Sequence, residues 1–101
     1  MFPVVDLVTL ARSLPADTDY SLGQLSSSSL VLLNLKPQPY PIELHSETER
    51  ILVLHGEAGV EFDQGEVRLA CGALLVLPPG QRHTFSADSD AVVLAIFGEP
   101  A

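Results

Sequence analysis

Cysteine is nearly absent from this sequence. Cys71 stands alone, so no intrachain disulfide can form, and a reducing, cytoplasmic setting is the expectation. Tryptophan is missing altogether. Basic residues are scarce: Arg12, Lys36, Arg50, Arg68 and Arg82 are scattered without forming a patch, against 13 acidic residues, for a net charge of −8. A surface of that sign repels phosphate backbones and anionic lipid, so neither nucleic acid nor a membrane surface is an expected partner. No apolar run approaches the roughly 20 residues that span a bilayer. The opening stretch MFPVVDLVTLARSLP lacks a basic leader and carries Asp6 among its apolar residues, so it does not read as a signal peptide. Linkers, low-complexity tracts and internal repeats are also missing; SSSS (26–29) is too short to be one and marks a strand entry or a turn.

What the chain does have is apolar residues, 47% of its length, which suits one folded domain over residues 1–101 with a single core. VDLVTLARSLP (5–15) sets Leu7, Leu10, Ala11 and Leu14 at helical spacing with Pro15 as the stop. This predicts a short helix within an N-terminal extension over residues 1–18. The remainder, residues 19–101, reads as strand and turn. SLVLLNL (29–35), RILVLHG (50–56), GVEFD (59–63), QGEVRLA (64–70), GALLVLPPG (72–80), RHTFSA (82–87) and AVVLAIF (91–97) alternate with Gly, Pro and Asp punctuation. PQPYP (37–41) is kept out of any central strand by its prolines. Short strands at this spacing predict an antiparallel sandwich or barrel.

Against that background ELHSETERILVLHG (43–56) is dense in metal-capable side chains. Glu43 and His45 are two apart; on a strand they point to one face with Cα atoms roughly 6–7 Å apart, close enough to converge on one ion. Ser46-Glu47-Thr48 is short enough for a turn, so Glu49 is predicted to open the return strand of a hairpin. Ile51, Val53 and His55 share its face on simple alternation, but a bulge beside Gly56 would turn His55 outward into a structural role. Glu47 reads as an exposed turn carboxylate. Farther on, Pro78-Pro79-Gly80 delivers His83 by a rigid turn. His45, Glu49 and His83 together make two imidazoles and a carboxylate, the donor set of facial-triad non-haem iron and related sites. Glu43 is either a fourth ligand or a residue turned to solvent at a strand edge. Phe62, Phe85 and Phe97 read as core or pocket lining, Tyr40 as a pocket rim and Cys71 as a small buried hydrophobe.

These two stretches resemble the motifs of the cupin superfamily. Its first motif runs G-x5-H-x-H-x(3,4)-E-x6-G and its second G-x5-P-x-G-x2-H-x3-N. His45, Glu49 and Gly56 match the latter part of the first, and Gly72, Pro78, Gly80 and His83 match the second without a gap. Glu43 stands where the family's first histidine would be, Pro37 where its first glycine would be, and Ala87 where its last asparagine would be. The resemblance spans about residues 29–97. It implies an all-β fold, an antiparallel jelly-roll β-barrel with a short N-terminal helix packed outside. It also implies a divalent metal ion (Fe, Mn, Ni or Zn) held by His45, Glu49 and His83, with Glu43 as the fourth ligand, and a small-molecule ligand or substrate. Two carboxylates and two imidazoles would make a divalent ion formally neutral, weakening its Lewis acidity and favouring harder ions such as Mn²⁺ or Fe²⁺. Without metal, Glu43 and Glu49 would repel each other and one would hold a proton, which makes Glu43 the candidate catalytic acid–base.

Two function classes follow from the resemblance: a metal-dependent enzyme acting on a small organic molecule, or a non-catalytic binding or sensing module with a vestigial metal site. The scattered arginines offer no pair to clamp a dicarboxylate or phosphate, which disfavours such substrates. Short barrels complete their cores by pairing sheets, so a homodimer is expected, through Phe2–Leu7 or the Ser29–Leu35 strand.

Overall fold

The computed structural model describes residues 2–98. Asp6 starts the helix α1 (Leu7–Arg12): its carboxylate accepts the Thr9 N–H at 3.1 Å, satisfying a free amide of the first turn. The Leu14 amide closes a last turn onto the Ala11 carbonyl, and Pro15 prevents continuation. Seven strands follow: β1 (Tyr20–Leu25), β2 (Ser28–Leu35), β3 (Glu49–Phe62), β4 (Gly65–Leu69), β5 (Leu74–Leu77), β6 (Thr84–Phe85) and β7 (Asp90–Phe97). Every pairing is antiparallel, in the order β1-β2-β7-β3-β4, with β5 and β6 also on β3. The all-β, antiparallel expectation holds. The hydrogen-bonded path ends at β1 and at β4 among the described residues, so the barrel is not closed.

Two elements differ from the sequence expectation. β1 carries no apolar alternation and is exposed along most of its length, and its register shifts between Ser21 and Gly23, where Gly23 has φ +133°. No period-2 signal marks it; it forms because Ser26 and Ser27 turn it back onto β2. β3, expected as two strands, is one strand of 14 residues. Its register against β7 shifts between Val53 and His55. Ile51 and Val53 face the core before the shift, and Ala58 and Val60 face it afterwards, so the bulge switches which alternate positions point inward. Gly56 sits at this bend with φ +78°, and a Cβ there would meet the Asp90 carbonyl oxygen. The bend lets β3 serve both halves of the fold, pairing first with β5 and β7 and then with β4 and β6.

The inner core joins Leu33, Leu35, Ile51, Val53, Val60, Leu77, Phe85 and Val93. On the outer face α1 seats Ala11, Leu7, Leu10 and Leu14 over Leu32 and Val92. Arg12 fixes it there, reaching Asp90 and the Asn34 side-chain carbonyl, each at 2.9 Å, while the Asn34 amide donates to the Leu14 carbonyl at 2.9 Å. That outer face carries two rungs across four strands, Leu30–Ile96–Arg50–Val76 and Leu32–Leu94–Leu52–Leu74, the second starting beneath α1 at Leu32. Cys71, expected to be buried, is exposed; it lies in the turn before β5, its thiol donating to the Leu54 carbonyl at 3.3 Å. Both edges of β2 are taken by β1 and β7, so this strand offers no free edge to a second copy.

Candidate metal centre

The segment holding Glu43 and His45 does not pair with β3, which corrects the expected hairpin. Glu43 instead forms an isolated antiparallel bridge with His83: the Glu43 N–H donates to the His83 carbonyl at 2.7 Å, and the His83 N–H to the Glu43 carbonyl at 3.1 Å. The Gly80 N–H donates to the His45 carbonyl at 2.8 Å. The prolines at 37, 39 and 41 lack the amide donors of a longer ladder, so pairing begins only at Glu43. Gly80, with φ +79°, completes the Pro-Pro-Gly turn that presents its amide to His45. The two metal-capable stretches are therefore tied to each other by backbone. Glu49 reaches the same place from the first position of β3, opposite Leu77 in β5 and Phe97 in β7.

The four side chains converge. Ligand atoms of Glu43, His45 and His83 lie within 4.8 Å of one another. Glu49 Oε1 lies 3.0 Å from His83 Nε2 and 3.6 Å from His45 Nε2, and Glu43 Oε2 lies 3.7 Å and 4.0 Å from the same two nitrogens. His83 and Glu49 are buried, at 3% and 2% exposure, whereas Glu43 and His45 are half-buried. His45 Nε2, His83 Nε2 and Glu49 Oε1 are all shut off from solvent without a hydrogen-bond partner, although His83 Nε2 and Glu49 Oε1 lie only 3.0 Å apart.

The other nitrogen of His83 explains this. Its Nδ1 lies 2.9 Å from the Gln81 carbonyl, which can only accept, so Nδ1 carries the hydrogen. In the neutral ring Nε2 then turns a lone pair toward the Glu49 carboxylate, placing acceptor against acceptor until a proton or a cation sits between them. Burial works to lower the His83 pKa, but Glu49, the Gln81 carbonyl and Glu43 outweigh it and hold the group above its ordinary value. Burial raises the Glu43 carboxyl, Glu49 adds to the rise, and His45 and His83 partly offset it. The ring of Phe97 stands edge-on to His45 at 5.0 Å. Tyr40 packs edge-on to Phe85, with its hydroxyl donating to the Lys36 carbonyl at 2.6 Å. His55 and Glu47 are exposed and take no part. Gln81 is the contributor that the sequence concealed, because it acts through its backbone carbonyl. Beside His83 opens a cavity of about 160 Å³ lined by Ile42, Glu61, Phe62, Asp63, Arg82 and Thr84, not by Glu43, His45 or Glu49.

An antiparallel β-fold that gathers two imidazoles and two carboxylates at one point defines a class of small β-proteins with a metal-capable centre. The chain belongs to the cupin domain family, whose profile matches residues 31–97. The structure is similar to that of a cupin-2 domain containing protein from Shewanella frigidimarina, with TM-score 0.82, 15% identity and 95% of each chain covered. It is also similar to a cupin superfamily protein from Desulfitobacterium hafniense, with TM-score 0.70 and 19% identity over 86% of this chain and 83% of that one. A third likeness is to a hydroquinone 1,2-dioxygenase in complex with Cd²⁺ and 4-hydroxybenzonitrile, with TM-score 0.77 and 18% identity over 94% of this chain and 72% of that one. At these identities the likeness is one of fold. The comparison with curated proteins finds no match.

Proposed function

We propose that this cupin holds a divalent metal ion (Fe, Mn, Ni or Zn) through His45, Glu49 and His83, with Glu43 as fourth ligand or general base. In this proposal it acts as a metal-dependent enzyme on a small organic molecule. One observation carries the proposal: three polar atoms shut off from solvent, on His45, His83 and Glu49, face one another without a hydrogen bond. Leaving such groups unsatisfied costs about 1–3 kcal/mol each, and more when charged, and a cation at their centre removes that penalty. The donor set fits a hard or borderline ion, since two carboxylates neutralise its charge and two imidazoles suit Fe, Mn, Ni or Zn. Bound there, such an ion would supply Lewis acidity. His83 is oriented for the task by the Gln81 carbonyl, and Glu49 is held by the first rung of β3. Glu43, more exposed and with its pKa raised, is the carboxylate suited to move a proton. The Cd²⁺ complex of the structurally similar dioxygenase supports the view that this fold accommodates metal.

A second reading, a binding or sensing module with a vestigial site, is favoured by the rung next to Glu49. There Val31, Ala95, Ile51 and Leu75 pair across the inner face, with Ala95 and Ile51 wholly buried, and fill the space behind the site with aliphatic side chains. Metal analysis of protein purified without added metal separates the two. Near-stoichiometric Fe, Mn, Ni or Zn, lost in His45→Ala and in His83→Ala, supports the metal-dependent enzyme. Metal-free protein whose thermal midpoint is unmoved by any of the four ions supports the second reading.

A further inference from the structure

The cavity beside His83 opens away from the four candidate ligands. Glu43 bridges to His83, and Glu61 on β3 pairs with Thr84 on β6. Partners across a ladder share a face, and neighbours along a strand alternate. Ile42, Thr84 and Glu61 therefore form one row on the face opposite to the Glu43 and His83 side chains. Arg82 and Asp63 fall on that same face just beyond the row. These five residues line the cavity of about 160 Å³, and Phe62 and His83, in the row between, complete it. Thr84 fixes one wall: its hydroxyl donates to the Tyr40 and Pro41 carbonyls, at 3.1 and 2.9 Å, and so ties the proline-rich segment before Ile42 to β6.

The charged groups at this cavity are unpaired. Arg12, Arg50 and Arg68 each hold a partner elsewhere. Among the described residues the Arg82 guanidinium holds none, and neither do the Glu61 and Asp63 carboxylates. All three side chains are exposed, and beside them Ile42 presents an apolar surface that is 63% exposed.

We propose that this cavity binds a small zwitterion, a free α-amino acid with an aliphatic side chain. Its carboxylate pairs with Arg82, its ammonium with Glu61 and Asp63, and its side chain lies on Ile42. Charge selects the class. A lone anion would meet two carboxylates beside one guanidinium, in a chain whose net charge is already −8. A lone cation would meet the guanidinium. A molecule that carries both charges close together pairs with all three groups, and its charge-assisted hydrogen bonds orient it as well as hold it. Size agrees: a cavity of about 150 Å³ takes up benzene, so this one suits a molecule as small as valine and excludes a peptide or a nucleotide. The site is separate from the metal-capable centre and does not depend on whether that centre is loaded.

Titration of L-valine into the full chain, followed by backbone amide shifts in nuclear magnetic resonance, tests it. Free amino acids chelate metal ions, so the protein is first treated with a chelator and dialysed, which keeps binding at the cavity apart from binding to an ion. The expected result is a saturable shift at Glu61, Arg82 and Thr84 with half-saturation below about 5 mM. Binding should weaken at least about 10-fold in Arg82→Gln and in the double variant Glu61→Gln/Asp63→Asn, each of which removes charged partners. The substituted side chains are exposed, so circular dichroism should show the fold retained. Isovalerate and isobutylamine keep the aliphatic part of valine with one charge each, and both should bind at least about 10-fold more weakly than valine. Half-saturation above that concentration, a smaller loss in either variant, or either single-charge analogue binding closer to valine than that overturns the proposal.

Discussion

His83 and Glu43 are both held above their ordinary pKa values, His83 by the nearby Glu49, Gln81 carbonyl and Glu43 against the opposing effect of burial, and Glu43 chiefly by burial. For each, the folded metal-free protein binds its proton more tightly than the unfolded chain does. The stability contributed by His83 is fully present below its ordinary 6.5 and is lost as pH rises through the higher folded value; Glu43 acts in the same direction from 4.5 upward. Protein treated with a chelator should therefore lose thermal stability as pH rises from 5 to 8. Metal must displace the same protons, so the gain in thermal midpoint on adding Mn²⁺ should grow over that range, and a gain independent of pH would contradict the site. Removing a ligand has a larger effect: His83→Ala should weaken metal binding at least about 100-fold by calorimetric titration, beyond the 10–100-fold typical of outer partners. The four candidate ligands, which the fold brings together, were legible in the sequence because the spacings from Glu43 through His45 to Glu49 and from Gly80 to His83 are short and local. The Gln81 carbonyl was not, since every residue carries one and only the turn decides where it points.

At the scale of elements, Gly56 decides more than its size suggests. With φ +78° and the Asp90 carbonyl where a Cβ would sit, Gly56→Ala should lower unfolding free energy by about 2–3 kcal/mol in urea denaturation. A loss under about 0.5 kcal/mol would mean that the bend is soft. The sequence marks Gly56 as punctuation, and a strand break and a bulge look alike there. Pairing with β7 across the bend, which the local pattern does not encode, makes β3 continuous. The partner of Glu43–His45 was hidden for a related reason: antiparallel hairpins are the local default, whereas the bridge to His83 joins segments some 40 residues apart. Arg68 holds the far end of the fold, reaching Glu57 on β3, Glu66 on β4 and Asp88 in the turn before β7. Arg68→Met should lower the thermal midpoint, and by more at low salt than at high salt, because it leaves three carboxylates facing one another. An equal loss at both would place the effect in packing.

For the molecule as a whole, acidity and greasiness act together. A net charge of −8 on 101 residues opposes compaction and opposes self-contact except through acid-free surface. The all-β class was readable from strand spacing and from the two motifs, because strand ends are marked by Gly and Pro. The open path of the sheet was not, since closure depends on long-range pairing at the edges of β1 and β4. Among the described residues no helix is long and apolar enough to cross a membrane. The metal-capable centre is where the two halves of the fold meet. Pulsed electron paramagnetic resonance of the protein loaded with one equivalent of Mn²⁺ examines it most directly, by counting nitrogens bound to the ion. The prediction is two imidazole nitrogens in the wild type, with one remaining in His45→Ala and one in His83→Ala. Mn²⁺ that binds without nitrogen coupling, or with coupling that both variants leave unchanged, would contradict it.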